Sequence, residues 1–336
     1  MKDDNNQFMS YAINLAKQGE GQTAPNPPVG AILVKNGKII SEGWHKKAGD
    51  AHAEVECLKP FSNPKELKDT TLFVTLEPCS TYGKTPPCVK RIIESGVRKV
   101  IIGAMDPNPM HNGNAIDILK DNGIEVLSGV CKEDAENLIA PFKKLITKKL
   151  PFITLKLAVT IDGKISDFNE NSRWISCEES RKEVQKIRKR VDAVMVGANT
   201  VRKDNPSLYS KLENNSCPWR IVIGNNIPKS SNLLNDKYKD KTIVMTGNIK
   251  NIVQELAISK NIMHILCEGG GNLSTQLFEA KIVDEVVFFV SPKILGFDGL
   301  SSFNFSNLSL KNAKELSFTD LKKIGEDIMI KAKVKN

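Results

Sequence analysis

The chain is 336 residues long and 40% hydrophobic, longer than one core usually grows and apolar enough for packed cores, so two domains are expected. Its 48 Lys+Arg outnumber 39 Asp+Glu for a net charge of +9, but the basic residues are scattered and the densest run, 181–190, alternates with apolar positions as a helix face does, which argues against a nucleic-acid surface and for solvation with a bias toward phosphate-bearing small molecules. Seven irregularly spaced cysteines exclude a disulfide framework, and there is neither a signal peptide nor an apolar run near the roughly eighteen residues of a membrane helix, so a cytoplasmic protein with reduced thiols and no membrane partner is expected.

Residues 8–17 carry Phe8, Ala12, Ile13, Leu15 and Ala16 near helical spacing and stop at Gly19, which predicts an amphipathic helix. The proline-rich segment 25–30 suits neither helix nor ladder. It reads as a loop feeding a hairpin of 31–34 and 38–40 around the turn pair Asn36-Gly37. Asn26, held between prolines beside a strand, either presents its amide to a ring or bonds its own backbone in a turn.

His52-Ala53-Glu54 opens a predicted helix over Ala53–Leu58, and the apolar run 71–76 leads through Glu77 and Pro78 into Cys79. Behind Pro86-Pro87, Cys88 opens a predicted helix over 88–94, where the helix N-terminus lowers a thiol's pKa. One imidazole and two thiolates make a three-ligand zinc site with a fourth position for water, and the fourth Cys or His that a structural site would want is not obvious. A carboxylate two residues after the histidine is what a zinc deaminase needs to take a proton from water and return it to the leaving amine. Alone, His-x-Glu is usually part of a solvated helix and Pro-Cys a packed thiol. Together they point to His52, Cys79 and Cys88 as metal ligands and Glu54 as the proton shuttle.

A strand over 99–103, a helix over 115–120, a strand over 124–127 and one long helix over 133–148 complete an α/β pattern. Charged, unpatterned residues before Pro151 mark a boundary, giving domains of 1–148 and 149–336. The alternation then restarts: strand 152–158, helix 179–190, strands 193–196, 220–223 and 241–245, helix 251–259, strand 262–267, helix 273–279 and strand 285–290. Glu268-Gly269-Gly270-Gly271-Asn272 lies between a strand and a helix, where bare amides could take a phosphate or simply make a tight turn; it lacks G-x-G-x-x-G spacing. Two other polar loops follow strands, Thr160-Ile161-Asp162-Gly163 leading to Ser172-Arg173-Trp174, and Gly197-Ala198-Asn199-Thr200 with Asp204 to Pro206. By residue type alone Asp162-Gly163 is a turn and Trp174 a core residue.

In order along nearly the whole chain, Pro25 to Gly30, His52-Ala53-Glu54, Thr75-Leu76-Glu77-Pro78-Cys79, Thr85-Pro86-Pro87-Cys88, Asp106-Pro107-Asn108-Pro109, Asp162-Gly163-Lys164, Trp174-Ile175, Thr200-Val201, Asp204-Asn205-Pro206 and Glu268-Gly269-Gly270 resemble the bifunctional riboflavin-biosynthesis deaminase-reductase family. Eight residues separate Cys79 from Cys88, as in that family, where nucleic-acid-editing deaminases typically read Pro-Cys-x-x-Cys. The resemblance implies a cytidine-deaminase-like three-layer domain followed by a dihydrofolate-reductase-like domain. It also implies zinc-dependent hydrolysis of the 2-amino group of 2,5-diamino-6-(5-phosphoribosylamino)pyrimidin-4-one, then NADPH-dependent reduction of the ribosyl to a ribityl chain.

Carried over position by position, the resemblance puts the pyrimidine on Asn26. NADPH falls on Ala158, Trp174, Thr200, Asp204, Gly270, Gly271, Asn272, Leu273, Ser274, Thr275 and Gln276, and the reductase substrate on Ser172, Arg188, Leu208, Lys211 and Glu268. A fixed guanidinium at Arg188 suits a phosphate. The chain departs from the family at Thr81 for His, Lys84 for Arg, Lys211 for Arg and Gly224 for Asp, and Lys cannot reproduce a bidentate fork. Lys211 and Gly224 suggest one alternative, a deaminase whose C-terminal domain has lost reductase activity. A nucleic-acid-editing deaminase is the other, weakened by an aromatic fraction of 6% without clusters. A homo-oligomer acting on a phosphorylated small molecule is expected.

Overall fold

The computed structural model describes residues 2–82, 86–109, 111–212 and 217–335. The chain divides into two compact units, Met1–Lys149 and Leu150–Asn336.

The first unit runs α1 (Lys2–Ala16), β1 (Gly30–Lys35), β2 (Lys38–Trp44), α2 (Ala53–Leu58), β3 (Thr70–Leu76), α3 (Cys88–Ser95), β4 (Lys99–Ala104), α4 (Asn114–Asp121), β5 (Glu125–Ser128), α5 (Lys132–Leu138) and α6 (Ala140–Lys148). Its sheet has the order β2-β1-β3-β4-β5, with β3, β4 and β5 parallel and the β1-β2 hairpin antiparallel. Central strands buried on both faces must be apolar throughout, and side chains alternate between the faces. Ile32, Phe73 and Ile101 turn toward α1 and α5, meeting Met9, Ala12, Ala135 and Leu138. Their neighbours Ala31, Leu33, Leu72, Val74, Val100 and Ile102 turn toward α2, α3 and α4, meeting Ala53, Cys57, Ile92 and Leu119. Each large side chain so buried contributes about 1.5–3 kcal/mol. The layers close tightly where a side chain is missing: a Cβ on Gly30 would stand 2.1 Å from the Ala12 carbonyl oxygen, so α1 can lie on β1 only over glycine.

The second unit contains β6 (Phe152–Thr160), β7 (Lys164–Ser166), α7 (Glu178–Lys189), β8 (Ala193–Gly197), α8 (Ala198–Asp204), β9 (Trp219–Ile223), α9 (Asn232–Asn235), β10 (Thr242–Met245), α10 (Ile249–Lys260), β11 (His264–Cys267), α11 (Gly271–Glu279), β12 (Glu285–Ser291), β13 (Leu300–Ser301), β14 (Leu316–Ile324) and β15 (Asp327–Val334). Eight strands form one sheet in the order β10-β9-β8-β11-β6-β12-β15-β14, parallel through β12 and antiparallel over the last two pairings; β7 and β13 make a separate ribbon.

Three expectations change. The single helix over 133–148 is two, because Pro141 has no N–H for the carbonyl of Asn137 and the chain breaks at Ile139. The β14-β15 hairpin carries no strand signal in sequence, because a register shift between Phe318 and Asp320 disrupts the alternation of an edge strand exposed at most positions. Helix α8 is short and buries only Ala198 and Val201, too few apolar positions to show a period.

Arg220 on β9 is fully buried and bonds both Asp236 carboxylate oxygens, at 2.6 and 2.8 Å, and the carbonyls of Ser207 and Leu233. Replacing Asp236 with Ala strands that guanidinium inside the sheet and is expected to cost about 3–5 kcal/mol. Hydrogen exchange in urea should show the loss in residues 150–336 and leave the first unit unchanged; an unaltered second unit would contradict this account.

Candidate active sites

The first site lies at the edge of the first sheet where β3 and β4, parallel and in register from Thr71 opposite Lys99 to Leu76 opposite Ala104, release their C-terminal ends. Pro78 ends β3 just before Cys79, and Pro87 is the N-cap residue of α3, so Cys88 occupies its first turn. The Cys88 N–H, one of the helix's four unmated donors, goes to Cys79 Sγ at 3.2 Å. Across from them His52 is the N-cap residue of α2. Its Nδ1 lies 3.3 Å from Cys88 Sγ and 3.7 Å from Cys79 Sγ, and the three ligand atoms lie within 4.8 Å of one another. A nitrogen and a sulfur sharing a tetrahedral zinc, at about 2.0 and 2.3 Å from the ion, stand about 3.5 Å apart, so the spacing fits.

Electrostatics point the same way. Hydrogen bonds from Cys88 and His52 hold the Cys79 thiol far below its ordinary pKa, while Cys88, which donates to that sulfur and is buried, is pushed well up. The pair thus keeps one proton, which a cation between them would displace. Glu54, buried on α2, has its pKa raised by burial first and by the Cys79 charge second, and its carboxyl shares a hydrogen bond with Cys88. A buried carboxyl whose proton affinity is raised in this way suits proton transfer at a metal.

Two further residues converge here without having been singled out in sequence. His45, just beyond β2, sets Nδ1 3.1 Å from the Ala51 carbonyl, so that nitrogen carries the proton. Its Nε2 then faces the Asn26 amide at 3.4 Å, and its ring meets His52 edge-on at 5.4 Å. Burial lowers the His45 pKa, which keeps this tautomer neutral. Asp106, half-buried beyond β4, has its pKa raised chiefly by burial and in smaller part by Cys79. Its sequence signal was the Asp-Pro-Asn-Pro motif, to which residue type alone gives no role. Thr81 is exposed, and Lys84 lies outside the described residues.

The second site is a cavity of about 770 Å³ in the second unit, bordered by β6, β8, the residues following β11, and α7 and α8. Ala158, Ser172, Trp174, Arg188, Thr200, Asp204, Leu208, Lys211, Glu268, Gly270, Gly271, Asn272 and Leu273 all line it. Ser274, Thr275 and Gln276 do not. Successive helical residues step about 100° apart, and these turn away: Ser274 and Thr275 are buried on the carbonyls of Gly270 and Gly271, and Gln276 faces solvent. Leu208, though it borders the cavity, packs its side chain in the core.

Trp174 is 61% exposed rather than part of the core, its ring under the Arg181 guanidinium at 4.4 Å and its carbonyl held by Lys293 at 2.6 Å. Such a ring offers a face for stacking, and Gly270, where a Cβ would meet only Ile165 Cδ1 at 3.9 Å, lies at the start of α11 on the cavity's border. Gly224 has φ +116°, a backbone state that disfavours the Asp usual in the family.

Arg188 is not free for a phosphate as its type suggests. Its Nε and one terminal nitrogen bond Glu268 at 2.6 and 3.0 Å, and both side chains are largely buried. Burial would raise the Glu268 carboxyl, but the charge and hydrogen bonds of Arg188 outweigh it and hold the pKa below its ordinary value. Lys156 on β6 lines the same wall, and burial lowers its pKa. Two cations and one anion leave a net positive charge facing the cavity. Its only sequence signal was a lysine inside an otherwise apolar strand.

Residues 151–330 match the model of the RibD C-terminal domain, and residues 2–104 that of the cytidine and deoxycytidylate deaminase zinc-binding region. The chain is 38% identical to the riboflavin biosynthesis protein RibD of Aquifex aeolicus, over 96% of each chain. It superposes on the structure of RibD from Acinetobacter baumannii with TM-score 0.91 at 30% identity, covering 100% of both chains. A Thermotoga maritima structure described as a diaminohydroxyphosphoribosylaminopyrimidine deaminase/5-amino-6-(5-phosphoribosylamino)uracil reductase gives TM-score 0.91 at 34% identity, covering 99% of both. With a cytidine-deaminase-like N-terminal unit, a RibD-type C-terminal unit and full-length likeness to these proteins, the chain belongs to the RibD family of riboflavin-biosynthesis proteins.

Proposed function

We propose that this chain performs two consecutive steps of riboflavin biosynthesis on one phosphorylated pyrimidine: deamination of 2,5-diamino-6-(5-phosphoribosylamino)pyrimidin-4-one in residues 1–148, then reduction of its ribosyl to a ribityl chain in residues 149–336. The observation that carries this reading is the meeting of His52, Cys79 and Cys88 beside the buried Glu54. His52, Cys79 and Cys88 would hold zinc, which when bound makes a water acidic enough to attack the amidine carbon. Glu54 takes the proton of that water and returns it to the departing amine, so ammonia leaves neutral. Asn26, with one amide proton committed to the neutral His45, offers its remaining amide groups to the pyrimidine edge.

In the reductase half NADPH supplies the hydride. Trp174, Thr200, Asp204 and the glycine turn from Gly270 to Leu273 hold the cofactor, while Ser172, Lys211 and the backbone of Leu208 border the substrate. Glu268 acts through Arg188: the pair is a rigid wall that, with Lys156, presents positive charge to a phosphorylated sugar. Arrangement of these groups around one cavity favours a working reductase over a degenerate domain, and likeness along both halves disfavours a nucleic-acid editor. The enzyme works in the cytoplasm, where its seven cysteines, all free thiols, stay reduced. None of the described helices is long and apolar enough to cross a membrane. It self-associates through the exposed Phe318, Leu321 and Ile328 of the β14-β15 hairpin.

Glu54→Gln is expected to lower ammonia release by about a thousandfold or more while zinc content and NADPH oxidation on supplied deaminated intermediate persist. Loss of both activities would contradict separate sites. Cys79→Ser should bring zinc well below one per chain by atomic absorption, and full zinc would refute the ligand set. Glu268→Gln should reduce NADPH oxidation by about tenfold or more, since it weakens the partner of a buried guanidinium, without altering ammonia release.

A further inference from the structure

Glu77 stands two residues before Cys79, is 3% exposed, and has no part in the chemistry above. Its carboxylate nevertheless accepts three backbone N–H groups from beyond the neighbouring strand. Oε2 takes those of Asp106 at 3.2 Å and Gly113 at 3.1 Å, and Oε1 takes that of Ala115 at 3.1 Å. Its own N–H donates to the Ala104 carbonyl at 2.9 Å, which extends the β3-β4 pairing to the edge where both chains leave the sheet.

The arrangement answers a deficit in the sequence. Helix α4 has Gly113 at its N-cap, with no side chain to satisfy the free donors of its first turn. Glu77 reaches across from the end of β3 and supplies that cap, with a negative charge where a helix N-terminus favours one. The same carboxylate fixes the Asp106 N–H, and Asp106 Oδ1 accepts the Asn108 N–H at 2.8 Å, so the residues just past β4 and the first turn of α4 are both tied to the turn that carries Cys79. Strands β3 and β4 end side by side, so the Asp106 N–H and the Glu77 carboxylate that accepts it stand at the strand end from which Cys79 follows.

We propose that Glu77 is a positioning residue of the deaminase, holding the backbone at Asp106, Gly113 and Ala115 preformed against the turn that carries Cys79. The proposal rests on the deaminase reading of the first site. Its consequence is that Glu77 governs how well the pyrimidine is held more than how fast its amine leaves, because the loss falls on that backbone and not on Glu54 or the ligand atoms.

The test uses the full-length, zinc-loaded enzyme and its Glu77→Gln variant, which keeps one acceptor oxygen and sets an amide NH2 against a donor. KM for the aminopyrimidine is expected to rise by about tenfold or more while kcat stays within about threefold. Zinc content and NADPH oxidation on supplied intermediate should match the parent, and the amides of Asp106, Gly113 and Ala115 should exchange about tenfold faster. Glu77→Asp, with both acceptors drawn back by one carbon, should fall between. An unchanged KM with zinc retained would overturn the proposal, as would zinc loss with exchange at those amides unchanged, which would confine Glu77 to the ligand turn. Loss of zinc and reductase activity in both variants would make it a residue of the fold alone and overturn it equally. A parent that releases no ammonia would sink the deaminase reading, and the exchange result alone would then decide whether Glu77 holds the segment.

Discussion

The N–H of Cys88, left without a partner by the start of α3, is accepted by the sulfur of Cys79 at 3.2 Å, and on that closure the first unit's chemistry depends. It joins a helix start to a strand end and puts two sulfurs next to each other. It also favours the thiolate that a divalent cation requires. The parallel pairing of β3 with β4 delivers Cys79 to the sheet edge, and the proline before each cysteine sets where strand stops and helix starts. His52 then needs only to be the N-cap residue of α2 for its ring to face both sulfurs. With these three side chains fixed by backbone in this way, Glu54 is buried in the first turn of α2 at a position where its proton affinity rises.

A different use of burial governs the second unit. Arg188 and Glu268 are hydrogen-bonded to one another in a wall from which water is largely excluded, so neither is a mobile surface charge and neither is neutral. Lys156 lines the same wall, where burial lowers its pKa and the Glu268 charge opposes that loss. The result is a cavity with a polar, rigid floor and an exposed aromatic face at Trp174, suited to a phosphorylated sugar and a dinucleotide that must meet at a set distance and orientation. Catalysis there is a matter of holding two ligands, which is why the sequence shows so little of it.

Legibility in sequence followed the kind of constraint. A candidate metal cluster is legible because zinc demands particular atoms: His52, Cys79 and Cys88 are singled out by chemistry together with Glu54's offset, and their ligand atoms lie within 4.8 Å of one another. Buried strands are legible because both faces must be apolar; β4 ends within one residue of the expected 99–103, and β3 covers the apolar run 71–76. What escaped depends on partners far along the chain. Lys156 looks like a flaw in a strand until Glu268 is placed beside it, and Glu77 looks like a spacer before Pro78 until α4 is seen to lack a cap. Arg188 invited a phosphate because its carboxylate partner is 80 residues away. The β14-β15 hairpin escaped because its register shift hides the alternation that defines a strand.

The central claim is that one ion is shared by His52, Cys79 and Cys88 with a position left over. X-ray absorption at the zinc edge of the full-length protein tests it most directly. Two sulfur scatterers at about 2.3 Å and two nitrogen or oxygen scatterers at about 2.0 Å, with one zinc per chain, are the expected result. A four-sulfur shell, or a shell of oxygen and nitrogen alone, would contradict the account.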